Sequence, residues 1–190
     1  MMASFISALW GNRPARAGVI IVGLFLLAIS VGGALMPYSA VDMDFVNILS
    51  PPSWAHPFGT DSFGRDVLTR VLLGGRTSLA ISVTGVTLAA LIGIPAGIAA
   101  AWYGRVVDQA LMRTADLLFA FPSFVLALFL MVVLGFGVTN VIFAIALVYV
   151  PIFARLSRNL AMTVREEAYV QAARLMGQST PRILFREILP

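Results

Sequence analysis

Cysteine and lysine are missing altogether from this 190-residue sequence, and histidine occurs once. Each absence closes a class of chemistry. Without cysteine there are no disulfides, thiol nucleophiles or thiolate-held metals. Without lysine, a glycine-rich Walker loop lacks the side chain that reaches the nucleotide phosphates, so ATP is not hydrolysed here by that route. The single histidine, His56, is followed by Pro57 and has no second imidazole to share a nickel or zinc ion with, so it reads as a loop residue and no metal site is expected. It is also no base for an intramembrane serine hydrolase, whose G-x-S-x-G turn is absent. The chain is read as non-enzymatic, with no cofactor of its own.

Charge is scarce as well. Only 12% of residues are charged against 59% hydrophobic, and the mean hydropathy of +0.93 lies outside the soluble globular range. The chain belongs in a lipid bilayer. A net charge of +4 would raise nucleic-acid binding in a soluble protein. Here the arginines gather at the ends of apolar runs, as topology signals do, and no nucleic-acid partner is expected.

The apolar runs set the organisation. Residues 1–16 are read as a short cytoplasmic N-terminus ending in Arg13 and Arg16, and 17–37 as a first span whose apolar stretch, 18–36, is long enough to cross hydrocarbon. That stretch exceeds the roughly 7–15 residues of a signal-peptide core, and no cleavage site follows it. Residues 38–76 are punctuated by Pro51-Pro52, Trp54 and several glycines, which favour an ordered loop. Within it, Thr60 or Asp61 is placed to cap a short amphipathic helix through Val67, Leu68, Val71 and Leu72. A core of 77–190 follows, with spans at about 77–103, 115–134 and 138–155. In the second span Gly85, Ala89, Gly93 and Gly97 line one face, a pattern that lets another helix approach closely, and Pro95 predicts a bend. Trp102 and Tyr103 mark a membrane interface. The uncharged run 117–154 is too long for one crossing, so Gly135, Gly137, Thr139 and Asn140 are read as the turn between the third and fourth spans. Pro122 and Pro151 are expected to kink them, and Asp116 to be solvated or capping at the membrane edge. No span buries an ionisable group, which disfavours a proton- or ion-coupled carrier.

Four crossings put both termini on one side. That side holds Arg13, Arg16, Arg105, Arg113, Arg155, Arg158, Arg165, Arg174, Arg182 and Arg186, whereas the other holds Arg65, Arg70 and Arg76 with Asp42, Asp44, Asp61 and Asp66. The positive-inside rule makes the termini cytoplasmic.

After the last span comes a charged segment, 156–190. Glu166 and Glu167 sit where a helix leaves free N–H groups, Arg174 in its last turn, and Gly177 where a left-handed terminating residue is wanted. Thr180 as N-cap with Pro181 behind it starts a second helix that Pro190 would stop. Tyr169, Ala172, Ala173 and Met176 share a face of the first helix. On amphipathicity alone, this segment also reads as an interfacial helix against headgroups.

Residues 169–174 (Tyr-Val-Gln-Ala-Ala-Arg), then Gly177 and Leu189-Pro190, resemble the EAA loop of ABC importer permeases, the cytoplasmic helix-turn-helix that docks into an ATPase. Gln171 stands where that pattern usually has an acid, with Glu167 one turn earlier, and Glu187 stands at an apolar position. The loop run His56, Pro57, Gly59, Thr60, Asp61, Gly64, Arg65, Asp66, Arg70, Gly74 and Arg76 resembles, more specifically, the N-terminal signature of the C-type permease subunit of dipeptide, oligopeptide and nickel importers. Arg113, Asp116 and Pro122 resemble the start of the third span in the same family. The resemblance implies an all-α integral membrane protein with the type I ABC importer permease fold, four transmembrane helices of an expected six being present. The chain would then be a fragment or a truncated product ending after the EAA loop.

The same resemblance implies ATPase coupling through Glu167, Gln171, Ala172, Ala173, Arg174, Gly177, Leu189 and Pro190. It implies as partners a second, B-type permease subunit, two ATP-binding subunits that use ATP and magnesium, and an extracytoplasmic solute-binding protein, in a bacterial plasma (inner) membrane. Cargo is left open among dipeptides, oligopeptides, nickel and glutathione. A membrane scaffold that recruits a partner, and a passive channel, are the rival readings.

Overall fold

The computed structural model describes residues 10–189. It is helical, with no strand among the described residues beyond an isolated Thr60–Asp66 bridge. In chain order the helices are α1 (Arg13–Leu35), α2 (Val67–Tyr103), α3 (Arg105–Phe119), α4 (Ser123–Leu134), α5 (Val138–Arg165), α6 (Ala168–Leu175) and α7 (Thr180–Ile183), followed by a π-turn at Leu184–Ile188. Three described helices, α1, α2 and α5, are long and apolar enough to cross a membrane, and a fourth crossing results if the bent pair α3–α4 counts as one. The chain divides into two compact units at Ala80/Ile81.

In the first unit, α1 presents Val19, Ile20, Ile21, Leu24, Phe25 and Leu27 outward, as a helix bathed in lipid does. Its contact with the opening turns of α2 is made by Ile29 and Leu72, both buried. Glycines make room for them: a Cβ on Gly32 would lie 2.9 Å from the Leu72 side chain, and one on Gly75 would lie 2.9 Å from Ile29. The short amphipathic helix expected near residue 67 is not a separate element. Val67–Leu72 is the first part of α2, which continues through Gly74, Gly75 and Arg76 without a break. Charge at Arg76 marks a change of environment, but only loss of backbone hydrogen bonding ends a helix. The cap is neither Thr60 nor Asp61. It is Asp66, whose Oδ2 accepts the N–H and the hydroxyl of Thr69 at 2.8 and 2.7 Å.

In the second unit, α2 and α5 approach through the small-residue face. A Cβ on Gly85 would sit 2.8 Å from Ile145, and one on Gly93 would sit 2.6 Å from the Val150 carbonyl. One on Gly97 would overlap Ser157 Oγ and the Ala154 carbonyl. With nothing larger than hydrogen between them, the two backbones touch, and Ser157 donates to the Phe153 carbonyl at 2.7 Å while also reaching Ile94 O at 3.3 Å. Lipid tails solvate leucine as well as any helix does, so it is this close packing, rather than escape from water, that holds such pairs.

The third span, expected as one segment over 115–134, is instead broken. α3 ends at Phe119, α4 begins at Ser123, and the two meet at 88°. Pro122 supplies no N–H and its ring disfavours the helical region for the residue before it, and Pro122 itself is extended at φ −54°, ψ 131°. At 12 residues, about 18 Å long, α4 is too short to cross alone. The turn that follows is shorter than expected, since Thr139 and Asn140 already lie in the first turn of α5: Gly135 has φ +86°, and the Asn140 side-chain amide donates to the Leu134 and Gly135 carbonyls at 2.7 and 3.0 Å.

The helix of the fourth span runs on past residue 155. α5 continues to Arg165 because its arginines find partners: Arg158 grips Asp108 of α3 with both carboxylate oxygens engaged, Nη2–Oδ2 being 2.6 Å. Arg155 pairs with Asp116 and lies 4.3 Å from the centre of the Phe119 ring. Asp116 is thus an ion-pair partner within α3, solvated as expected with its side chain 57% exposed, and not a cap.

Gly97→Ala is expected to lower stability by about 1–3 kcal/mol, because the added methyl has backbone and a hydroxyl in its way. Gly74→Ala meets nothing within 4 Å and should be neutral or stabilising by up to about 1 kcal/mol. Thermal unfolding of both variants in detergent checks the contrast.

Candidate functional site

The C-terminal elbow is built as the sequence suggests, with adjustments. Helix α5 gives way at Glu166, and Glu167, extended at φ −66°, ψ 144°, occupies the N-cap position of α6. Its carbonyl accepts the Val170 and Gln171 N–H groups, both at 3.1 Å. At the far end Gly177 is left-handed, φ +76°, while Gln178 N–H returns to the Ala173 carbonyl at 3.1 Å and Gly177 N–H to Arg174 O at 3.0 Å. That ring closes α6 and turns the chain. Ser179, not Thr180, is the N-cap of α7, and Thr180 and Pro181 open its first turn. Leu189 is described and half exposed, with its N–H on Leu184 O at 3.0 Å, whereas Pro190 lies outside the described residues.

The two faces of α6 divide differently from the sequence pattern. Val170 (0% exposed) and Ala173 (3%) face inward onto Ile183, with Trp102, Val164 and Ile188 packed around them. Ala173 therefore belongs to the elbow's core and is not offered to a partner. The outward set comprises Tyr169, Gln171, Ala172, Leu175 and Met176, of which Leu175 is 89% and Met176 72% exposed. Glu167 and Gly177 are exposed too. Arg174 is held to the scaffold: its guanidinium carbon stands 3.9 Å from the centre of the Trp102 ring. Trp102 was legible only as an interface marker, and nothing in its local sequence announces a partner 72 positions away. Arg165 Nη1 donates to the Ala101 carbonyl at 2.7 Å, next to Trp102, satisfying an acceptor in the last turn of α2.

The signature residues of the loop come together as a knot of backbone and carboxylates. Gly59 (φ +71°) and Gly64 (φ +73°) lie where a side chain would strike the Ser50 carbonyl and the Asp44 backbone, respectively. Thr60 donates to Asn47 O and accepts the Ser50 N–H at 2.8 Å. Asp61 collects the Phe63 and Arg65 N–H groups at 2.9 and 3.1 Å and the Arg65 Nε at 2.8 Å, and Arg70 Nε stands 3.6 Å away. Buried Asp66, besides capping α2, lies 3.0 Å from His56 Nδ1, and His56 stacks at 4.7 Å against Tyr38. Gly74 and Arg76 sit apart, within α2. His56 is thus a structural partner of Asp66, and among the described residues no group of three or more histidines and carboxylates is arranged to hold a metal. Arg113, Asp116 and Pro122 lie on α3 and at its break, Asp116 tied to Arg155.

The Arg65 side chain, with its own and the Phe63 N–H, holds Asp61 down at about 2. At Asp66 burial pushes the carboxyl up, but the Thr69 hydroxyl and N–H and the His56 contact outweigh it, leaving the group below its ordinary value. A carboxylate whose folded pKa is depressed stabilises the fold above its unfolded pKa and loses that contribution as pH falls through the folded one. The loop should therefore hold its order from neutral pH down to about 4 and loosen as pH approaches 2. Amide exchange of peptide 56–70, normalised to the same peptide in isolation, is expected to rise over that window. With Asp61→Asn, protection should already be reduced at pH 7.

Residues 93–190 match the family described as binding-protein-dependent transport system inner membrane component. The chain is 40% identical over 179 residues to the dipeptide transport system permease protein of Alkalihalophilus pseudofirmus, covering 94% of this chain and 59% of that one. It is 40% identical over 186 residues to the glutathione transport system permease protein of Pectobacterium atrosepticum, covering 95% and 62%. To a putative peptide transport system permease protein of Brucella suis it is 45% identical over 191 residues, covering 96% and 63%. The chain thus spans about three fifths of the length of these relatives.

Proposed function

The chain belongs to the family of binding-protein-dependent transport system inner membrane components, and from that premise we propose that it is a permease subunit of an ATP-driven importer of small peptides. It is a multi-pass membrane protein. The dipeptide, glutathione and peptide permeases that it resembles support a short peptide as cargo over nickel. Its partners on this reading are a second, B-type permease subunit, two ATP-binding subunits that use ATP and magnesium, and an extracytoplasmic solute-binding protein. The inner membrane of a bacterium is the proposed location, with the N-terminus and the elbow in the cytoplasm, a reading supported by the arginine count when the α3–α4 pair is taken as one crossing.

The observation that carries the reading is the elbow's outward face. Tyr169, Ala172, Leu175 and Met176 form an apolar surface flanked by Glu167 and Gln171, on a helix pair too short to move except as a body. An ATP-binding subunit that closes on nucleotide would push this body. α5 continues from it with only Glu166 and Glu167 between, and α5 is locked to α2 at Gly93 and Gly97, so a shift of the elbow passes to a helix pair rather than to one helix. Gln171 offers a neutral amide where a carboxylate is usual in the pattern, and Glu167 supplies a charge at the N-terminal edge of the same surface. Leu189 and Pro190 would end the docking segment.

Vesicles reconstituted with this chain, a B-type subunit, the ATP-binding pair and a binding protein are expected to accumulate labelled dipeptide only when ATP is supplied. Accumulation without nucleotide would instead make the chain a passive channel, and recruitment of the ATPase without any flux would make it a scaffold. Gly177→Val forces a β-branched residue into a left-handed position and should cut nucleotide-dependent uptake at least about tenfold, since such a residue strains the cap by roughly 1–2 kcal/mol and displaces α7. The amount of chain inserted in the membrane should not change.

A further inference from the structure

The elbow meets the membrane helices through the peptide chain itself, through Leu184 and Ile188 packed on the core of Ile98, Ala101 and Ala161, and through Arg174 on Trp102. Glu166 and Glu167 join α6 to α5 covalently, and an extended N-cap residue is a pivot: left alone, it would let α6 swing without carrying α2 along. At the last turn of α2 neighbouring residues are gripped by two arginines, Arg165 from the end of α5 and Arg174 from the elbow itself. Arg165 binds the Ala101 carbonyl at 2.7 Å, and Arg174 covers the Trp102 ring at 3.9 Å from its centre. The Trp102 side chain also packs against the core formed by Val170, Ala173 and Ile183. A tryptophan at a span end commonly lies in the headgroup layer with its indole N–H towards water. This one has its face on a guanidinium and its body against the elbow, so its surroundings are those of a joint between elements.

We infer that Trp102 is a positioning residue for coupling: with Arg174 it fixes the elbow to α2, so that elbow, α2 and α5 move as one body when the ATP-binding subunit pushes. The inference rests on the importer reading above and adds to it the contact through which α2 is driven. Arg174, although exposed, then serves the joint with α2, and the docking face is left to Glu167, Gln171, Ala172, Leu175 and Met176. The contact suits this use because a guanidinium over an indole resists sliding without demanding a single hydrogen-bond geometry.

The absence of cysteine makes the test direct, since two introduced cysteines are the only thiols to label in this chain. Leu91→Cys on the exposed face of α2 and Arg182→Cys on α7 of the elbow, outside the docking face, spin-labelled in the complete transporter purified through a tag on this chain, report the distance between the two elements. With the native Trp102 and Arg174, that distance should be the same without nucleotide and with ATP trapped by vanadate. In Trp102→Leu and in Arg174→Gln it should broaden or shift on adding ATP, and ATP-dependent uptake should fall about three- to tenfold. The amount of ATP-binding subunit that copurifies should stay constant. Trp102→Phe and Arg174→Lys keep a ring and a cation and should restore the single distance, which a merely space-filling role for either residue would not require. The inference is overturned if the distance changes with ATP in the native background, or if Trp102→Leu and Arg174→Gln leave both distance and uptake as they were. If no ATP-binding subunit copurifies with the native chain, the importer reading itself falls and takes this one with it.

Discussion

The closeness of α2 and α5 at Gly93 and Gly97 is the constraint on which the rest depends. Inside hydrocarbon there is no water to expel from between two helices, so a pair is held by how near the backbones come and by what hydrogen bonds cross the seam. Any side chain at Gly97 would meet Ser157 and the Ala154 carbonyl, which is why the helices are in register at that level and why Ser157 can reach across to Ile94. The same seam continues to the helix ends, where Ile98, Ala101 and Ala161 form a small core that Leu184 and Ile188 of the elbow extend. Packing within the membrane and packing of the elbow are therefore one surface, which is the mechanical condition for passing a displacement from one to the other.

Charge is placed to respect that arrangement. The arginines of α5 that would otherwise cut the span short are matched to α3, Arg158 with Asp108 and Arg155 with Asp116. Such pairs contribute modestly to stability when half exposed, but they fix α3 along α5 and so define where the bend at Pro122 falls. The loop at residues 44–66 uses carboxylates in another manner, as acceptors for backbone N–H groups. Asp61 organises a turn and Asp66 ends it by capping α2, with Gly59 and Gly64 leaving room for the chain to cross itself.

Much of this was legible because some residues have few uses. A glycine after a short helix with arginine in its last turn is a left-handed stop, and Gly177 is one; glycines every fourth residue in an apolar run are a helix seam, and Gly93 and Gly97 are that. What the sequence hid is non-local or depends on degree. Ala172 and Ala173 are identical in composition, yet one faces out and the other is core, because Val170 and Ile183 decide the side. Arg76, Arg155 and Arg158 look like span ends, but a charge with a partner or with water does not interrupt backbone hydrogen bonding, so α2 starts earlier and α5 ends later than the charges suggest. Pro122 announces a kink, but the apolar residues on both sides of it do not tell that the turn reaches 88°. Trp102 and Arg174 meet only after α2, α5 and the elbow have folded, so neither could be paired by reading along the chain.

The central claim is that the elbow's outward face receives the push of an ATP-binding subunit, and a photo-crosslinking residue at Leu175 tests it most directly. In membranes where the transporter is assembled, illumination should join this chain to a subunit that can itself be labelled with a photoreactive ATP analogue. A Leu175 probe that crosslinks only to lipid, or to a protein that binds no nucleotide, would contradict the account.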